Sequence, residues 1–507
     1  MDRKGIFSNA IIMMFGTLIS RFLGLLRESV MAFLFGATPA YDAFLIAFLI
    51  PNLLRQLLAE GALGSSFVPV FNEYLIKEGR EGAWKLLNII LNLLFLLFGI
   101  LIPLGYLLLP YLVKLLAPGF SLDTYNLCVS LAKITMPFIF FVSLAALTMG
   151  VLNSFGNFFI PGVASAFFNI SIIVLSLFLY RSLGIYSVAI GSTLGGLLQW
   201  LFQLLWLRKL GWRHEALLDF THEGIRRIAL MMAPLTFGLA IHQVQNLVDK
   251  IVASLLSPGG ISVINYAFRL YQLPLGVFAV SFSTVALPLL SQDVLKDGLK
   301  EFKDTLLSAS KIALFIVIPA SIFIFLYSPI LVKIIFFRGA FSEWAFKNTY
   351  MTLRFYSVGL VFSALVHIFM RAFYALKDTK TPTIINAWIV VFNAILNIIF
   401  GKLFGPPGLA LATSIAFVLN FLFLKRALAM RSVHVDLFFY SLKIFLPSLV
   451  FLVFSIFALL FISNSWLSMF FSLFMFLPYA LLCRRFKIEE GSIFMSKLLK
   501  LLKKKRT

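Results

Sequence analysis

Charged side chains interrupt three apolar stretches of the chain. A charge at the centre of a membrane helix costs about 2.5–3.5 kcal/mol when it faces lipid, so such residues line a wet cavity or pair with one another. They are Arg21, Arg27, Glu28, Arg55, Glu60 and Arg269. Arginines outnumber carboxylates in this set, and a guanidinium binds oxyanions bidentately. The pattern favours a cationic cavity for a phosphate-bearing ligand, and the alternative is a structural network of ion pairs.

A second polar group lies in the second half of the chain. Its first part has the spacing of one helix face, at His242, Gln245, Asn246 and Asp249. Asn393 and Asn397 share a face of a later helix, and Thr413 follows on the next one. Carboxylate, amide and hydroxyl oxygens are ligands of hard cations. The same residue types also form hydrogen bonds between membrane helices, and the spacing leaves both interpretations open.

The composition identifies the solvent of these helices. Of 507 residues, 61% are hydrophobic and 13% charged, with a mean hydropathy of +0.98, whereas soluble proteins carry about 25% charged residues. The net charge of +22 is attributed to basic loops of a membrane protein, so nucleic acid is not an expected partner. Cys128 and Cys483 form no metal or disulfide motif.

Apolar runs long enough to cross a bilayer predict an all-α membrane protein with about fourteen transmembrane helices. The predicted spans are 7–33, 41–71, 86–109, 124–150, 158–180, 184–207, 225–256, 262–291, 304–328, 343–375, 382–400, 406–424, 436–462 and 465–483. The loops on one side hold most of the basic residues, and those on the other hold only Lys114, Arg181, Lys333, Arg338 and Lys402. This asymmetry predicts that both termini are cytoplasmic.

An internal repeat appears at an offset of 221 residues, which aligns Pro161 with Pro382 and Gly184 with Gly405. Each repeat holds six spans, an even number, so the two lobes have the same orientation and are related by a pseudo-two-fold axis along the membrane normal. The predicted domains are an N-terminal lobe, a C-terminal lobe, and two further helices with a basic cytoplasmic tail. They cover residues 1–212, 213–430 and 431–507. The tail, 497–506, is predicted to bind anionic lipids.

Several motifs resemble one known family. They include Ser20 to Arg27, Asp42 to Phe44, Pro51 to Arg55, Glu60 to Ala62, Tyr266 to Pro274, Arg371 to Leu376 and Thr381-Pro382. Together they resemble the MurJ (MviN) lipid II flippases of the MOP exporter superfamily, over essentially the whole chain.

The resemblance implies translocation of lipid II, an undecaprenyl-pyrophosphate-linked peptidoglycan precursor, from the cytoplasmic to the periplasmic leaflet of the bacterial inner membrane. It implies that Arg21, Arg27, Arg55 and Arg269 face the headgroup, with Glu28, Asp42 and Glu60 as acidic partners. The last two spans would form a groove for the lipid tail. The family's sodium site would fall on Asp249, Asn393, Asn397, the Leu409 carbonyl and Thr413, although Asn397 stands where some members have Asp.

Other functions remain as alternatives. A flippase for another polyprenyl-linked glycan would bind the same pyrophosphate, whereas a MATE-type cation-coupled exporter would favour a carboxylate-rich cavity. A polyprenyl-phosphate glycosyltransferase would need an acidic or metal-binding motif in a large loop, and no loop exceeds roughly twenty residues. A purely structural membrane protein has no use for costly buried charges. We therefore expect a transporter rather than an enzyme, and a monomer.

Overall fold

The computed structural model describes residues 20–56, 63–276, 280–296, 299–486 and 488–492. In these ranges the regular structure is helical, as the sequence predicts, and no strand is present. The chain divides into two compact units, 1–262 with 338–341, and 263–337 with 342–507. The predicted boundaries at 212 and 430 stay a prediction. The basic tail at 497–506 lies outside the described residues.

The first unit contains nine helices in its described part. They are α1 (20–35), α2 (Pro39–Leu54), α3 (Gly64–Lys77), α4 (Gly79–Leu116), α5 (Leu122–Thr135), α6 (Phe138–Ser154), α7 (Phe159–Leu183), α8 (Tyr186–Lys209) and α9 (Glu223–Ser254). Helices α7 and α8 pack along their length, and α9 packs against α3 and α4.

The second unit begins within α10 and holds the remaining described helices. They are α10 (Gly260–Pro274), α11 (Val280–Lys296), α12 (Leu299–Ile335), α13 (Glu343–Ala375), α14 (Lys380–Phe404), α15 (Pro406–Ala429), α16 (Phe438–Phe461), α17 (Ser465–Phe474) and α18 (Phe476–Arg485). Its apolar core joins α12, α13 and α15 to the last three helices.

Every predicted span coincides, over its described residues, with a helix or a consecutive pair of helices. Among the described residues, ten helical segments are long and apolar enough to cross a membrane. The four predicted spans outside this set are the first two of each repeat, on α1, α2–α3, α9 and α10–α11. These spans carry the charged residues singled out in the sequence. The described helices α1, α2, α3, α10 and α11 are each shorter than 18 residues.

The two repeats share backbone features. Helices α7 and α14 both end at a glycine in the left-handed region, Gly184 with φ 53° and Gly405 with φ 68°. A side chain at either position would be strained, so glycine ends the helix there. Helices α2 and α10 are each followed by a wider π-type turn, at 55–56 and 275–276. The repeat found in the sequence is therefore present in the local backbone.

A proline within α2 exposes a constraint that membrane helices must satisfy. Pro51 has no N–H, so the carbonyl of Ala47, four residues earlier, loses its helical donor. The Thr135 hydroxyl of α5 donates to that carbonyl at 3.2 Å. Because hydrocarbon offers no hydrogen bonds, the neighbouring helix supplies the missing one.

Helix α12 contains two prolines, and each leaves a backbone carbonyl without its helical donor. Pro319 frees the Phe315 carbonyl, which accepts a hydrogen bond of 2.9 Å from the buried Tyr479 hydroxyl of α18. The second proline frees the Phe325 carbonyl, which accepts from Arg354 Nε of α13 at 3.1 Å. Polar side chains thus join α12 to two of its neighbours.

Ion pairs lie at the helix ends on the predicted cytoplasmic side. Glu73 of α3 accepts from Arg227 of α9 and from Lys77, both at 2.7 Å. Hydrogen bonds from these two cations lower the pKa of Glu73 to about 2. The carboxylate therefore stays charged at neutral pH, and α3 remains paired with α9.

A second ion pair in the other unit joins Asp378 to Arg431. Partial burial acts to raise the pKa of Asp378, but hydrogen bonds from Thr381 and Arg431 outweigh it, so the pKa is lowered. Asp378 also accepts from the Thr381 backbone N–H at 3.0 Å and caps the start of α14.

We predict that Tyr479→Phe lowers the free energy of unfolding by about 1–2 kcal/mol, because the Phe315 carbonyl loses the Tyr479 hydroxyl as a donor in an apolar environment. Chemical unfolding in lipid bicelles measures the change. The matched control is Tyr125→Phe, since the hydroxyl of half-buried Tyr125 donates to the carbonyl of Pro110, within continuous helix α4. Equal losses in the two variants would contradict this explanation.

Candidate functional site

The Arg27–Glu28 pair is the centre of a buried polar cluster in the first unit. Arg27 Nη2 donates to Glu28 Oε1 at 2.6 Å, and the Tyr41 hydroxyl donates to Glu28 Oε2 at 2.9 Å. Glu28 is 1% exposed, whereas the Arg27 side chain keeps 15% of its surface exposed. The carboxylate is therefore held inside the protein, and the guanidinium remains partly accessible.

Helix α7 holds the other side of the guanidinium. Arg27 Nη1 donates to Asn169 Oδ1 at 3.2 Å, and the guanidinium carbon lies 5.6 Å from the centre of the Phe168 ring. Sequence reasoning missed Asn169, Phe168 and Tyr41. The available signal was Asn169, the one amide side chain in the predicted span 158–180.

This geometry leaves Arg27 suited to an oxyanion. A guanidinium has five N–H groups, and the contacts with Glu28 and Asn169 use two of them. Its direction is fixed by three neighbours, so it can present the remaining donors to a phosphate without first being ordered. The cluster can therefore bind and orient an anion.

The other predicted arginines lie on different elements. Arg21 is exposed on α1. Arg55 is half-buried in the π-type turn after α2, and its Nε donates to Asn52 Oδ1 at 2.9 Å. Arg269 is half-buried on α10, in the second unit. The convergence of the four arginines on one ligand stays a prediction, and Glu60 lies outside the described residues.

The polar face predicted on α9 takes part in a network near Arg55. Gln243 Nε2 donates to Gln56 Oε1 at 2.6 Å, and Asn246 Nδ2 donates to Gln243 Oε1 at 3.3 Å. Gln245 and Asp249 of the same face are half-buried, and the side chain of His242 lies outside the described part. The face predicted from spacing omitted Gln243, which makes the direct contact with the turn after α2.

The predicted sodium ligands of α14 and α15 lie together in the second unit. Asn397 Nδ2 donates to Asn393 Oδ1 at 2.7 Å, and Asn393 Nδ2 donates to Thr413 Oγ1 at 3.5 Å. The Thr413 hydroxyl donates to the Leu409 carbonyl at 2.9 Å. All four residues are buried. Asp249, the fifth predicted ligand, belongs to the first unit.

Sodium binding at this donor set stays a prediction. The four residues are neutral, and the oxygens of Asn393, Thr413 and Leu409 each accept a hydrogen bond within the network. A buried cation needs those oxygens and is stabilised by a carboxylate. Within the described ranges, no group of three or more His, Cys, Asp or Glu side chains could hold a metal ion.

The Asp42 carboxylate is bound by backbone and side-chain donors at the start of α10. It is 2% exposed and accepts from the backbone N–H groups of Gly259 and Ser262, both at 2.7 Å. The Ser262 hydroxyl donates to it as well, at 2.5 Å. The side chain thus caps the start of α10 from α2, and a negative charge is favoured there by the helix dipole.

We predict that Asp42→Asn destabilises the protein by about 1–3 kcal/mol, because an amide replaces one acceptor oxygen with a donor and leaves a buried N–H unpaired. Thermal unfolding of purified protein in detergent reports the change. Asp123→Asn is the matched control, since Asp123 is exposed in the first turn of α5. Retention of the wild-type melting temperature by Asp42→Asn would argue against the capping role.

Comparison with known proteins places this geometry in a family. The family model described as lipid II flippase MurJ matches residues 31–481. The chain is 34% identical over 444 residues to a probable lipid II flippase MurJ of Buchnera aphidicola subsp. Baizongia pistaciae, with 86% of each protein covered. It is 32% identical to a protein of the same description from Treponema pallidum, with 94% of this chain and 91% of the relative covered.

Solved structures agree with the sequence comparison. A lipid II flippase MurJ in an inward closed conformation matches with a TM-score of 0.77 and 33% identity, covering 96% of this chain and all of the other. An inward-facing MATE family multidrug transporter of the MOP superfamily matches with a TM-score of 0.68, covering 83% of this chain and 98% of its own. At 17% identity, that second match concerns the fold alone. The chain belongs to the MurJ family.

Proposed function

We infer that this protein is a lipid II flippase of the bacterial inner membrane, moving the polyprenyl-pyrophosphate-linked precursor from the cytoplasmic to the periplasmic leaflet. The observation that carries the inference is the Arg27 guanidinium, held by Glu28 and Asn169 within apolar helices and still partly exposed. A pyrophosphate offers oxyanions for such a group. Family membership over nearly the whole chain supplies the substrate class.

The proposed cycle is alternating access without covalent chemistry, in keeping with the MATE-like fold. Arg27 binds the pyrophosphate, and Arg21, Arg55 and Arg269 complete the cationic surface in one or more states. The lipid tail stays in the membrane and uses the groove predicted for the last two spans. In this proposal the protein works as a monomer. Loop charge predicts that both termini lie in the cytoplasm.

A flippase for another polyprenyl-linked glycan would use the same pyrophosphate contact. A cation exporter is less consistent with this site, since the accessible group of the cluster is a guanidinium and its carboxylate is buried. Reconstituted vesicles given fluorescent lipid II, the same lipid with a different glycan, or a cationic dye separate these three functions. Transport of the dye without transport of lipid II would overturn the proposal.

We predict that Arg27→Ala reduces lipid II flipping by about 10- to 100-fold, since a charge-assisted hydrogen bond contributes about 1.5–3 kcal/mol. Arg27→Lys keeps the charge but loses the planar, bidentate donors of the guanidinium. Its flipping rate should therefore lie between those of the wild type and Arg27→Ala. The assay follows fluorescent lipid II in vesicles. Arg181→Ala is the control, because Arg181 is exposed at the end of α7. An unchanged rate in Arg27→Ala would contradict the proposed contact.

We propose further that flipping by this chain does not require sodium. The oxygens of Asn393, Thr413 and Leu409 accept hydrogen bonds within the network that includes Asn397. A bound sodium ion would need the same oxygens as ligands. The proposal is supported by the neutrality of all four residues, and membrane potential, worth about 2.3 kcal/mol per charge per 100 mV, is an adequate alternative driving force.

We predict that replacing sodium with potassium leaves the melting temperature of the wild type unchanged, since a ligand that does not bind the native state cannot stabilise it. Asn397→Asp supplies a carboxylate beside the same oxygens and should introduce a sodium-dependent rise. Asn420→Asp buries a carboxylate elsewhere on α15 and should show no such rise. A sodium-specific stabilisation of the wild type would refute the proposal.

A further inference from the structure

The connection between α8 and α9 runs beside α4 instead of projecting into water. Asn88 Nδ2 of α4 donates to the Arg213 carbonyl at 3.1 Å. One turn further along the same helix, Asn92 Nδ2 donates to the carbonyls of Glu215 and Leu217 at 2.8 and 2.9 Å. Two asparagines thus satisfy three loop carbonyls, which suits a loop placed where water is scarce.

The sequence of α4 indicates how deep this loop lies. Between Lys85 and Lys114 the helix has no charged residue, a stretch of about 42 Å, which equals the thickness of a bilayer with its headgroups. Asn92 lies about 10 Å along the axis from Lys85, at the edge of the hydrocarbon core. Phe95, less than one turn further, is 45% exposed and faces lipid.

Two large apolar side chains of the loop point outward at this level. Leu218 is 58% exposed and Phe220 is 66% exposed. Asp219 between them is half-buried, and its Oδ1 accepts from the Thr221 backbone N–H at 2.9 Å and hydroxyl at 2.7 Å. The Asp219 carboxylate is thus bonded within the loop, and the apolar groups on either side of it are exposed.

Exposed cations lie on either side of this pair. They are Arg208, Lys209, Arg213 and Arg226. Apolar side chains accompanied by Lys and Arg are the composition of segments that rest in the interface of an anionic leaflet.

We propose that the segment 212–221 is an interfacial anchor, with Leu218 and Phe220 inserted among the lipids of the leaflet that loop charge assigns to the cytoplasm. The occupant of this surface is the lipid of the bilayer, not a protein partner. The anchor holds the start of α9, which begins two residues after the segment. It is separate from the Arg27 cluster and does not depend on the transported substrate.

The test uses spin labels at Leu218→Cys and Phe220→Cys, with Glu215→Cys as the matched control. The Glu215 side chain is exposed in the same loop, and the native residues Cys128 and Cys483 are buried and resist labelling. The full chain is placed in vesicles of phosphatidylethanolamine and phosphatidylglycerol. Collision with lipid-soluble oxygen is compared with collision with a water-soluble nickel chelate, and the melting temperature confirms folding of each variant.

The expected ratio of oxygen to nickel collision is several-fold higher at 218 and 220 than at 215. Preferential collision with nickel at 218 and 220 would overturn the proposal, because the side chains would then be in water. Labels shielded from both reagents would overturn it as well, since a protein surface would then cover them. Quenching of a fluorophore at position 220 by a lipid-attached nitroxide provides an independent measurement of the same contact.

Discussion

The absence of hydrogen-bonding solvent in the bilayer governs this structure. Each backbone group that a helix cannot satisfy needs a partner from another helix. The carbonyls released by prolines of α2 and α12 find donors in Thr135, Tyr479 and Arg354. The same constraint brings Asn88 and Asn92 to the loop before α9. Much of the polar chemistry of the chain therefore holds helices together.

The charged cluster on α1 differs from those contacts in one respect. Glu28 and Asp42 are almost fully buried and held by several donors, as the constraint requires. Arg27 has partners on two sides but keeps part of its surface accessible. A purely structural ion pair has no need of that exposure, and a site for an anion does.

Much of the fold could be predicted because it follows from local properties of the sequence. Hydropathy located the spans. The repeat aligned Gly184 with Gly405, and both glycines end a helix because the backbone there has a positive φ, which favours glycine. Residue type also separated Arg27 and Glu28 from their apolar surroundings. These features need no knowledge of which helix lies next to which.

Features that depend on helix packing could not be predicted. Asn169 is 142 residues from Arg27, and no spacing rule joins them. The hydrogen bond from Ser262 to Asp42 joins residues 220 positions apart, so the capping of α10 is not visible in the sequence. The role of Asp42 in ligand binding stays a prediction. The polar face of α9 omitted Gln243 for a similar reason, because only the position of the turn after α2 shows which side chain reaches it.

The immobilisation of Arg27 has an entropic consequence. A free arginine side chain loses up to about 2 kcal/mol of rotamer entropy when it is ordered by a ligand. Here Glu28, Asn169 and Phe168 have already restricted its rotamers during folding. The entropy cost of ordering Arg27 is therefore part of folding and not of anion binding. When the anion leaves, the Arg27 side chain regains little rotamer freedom.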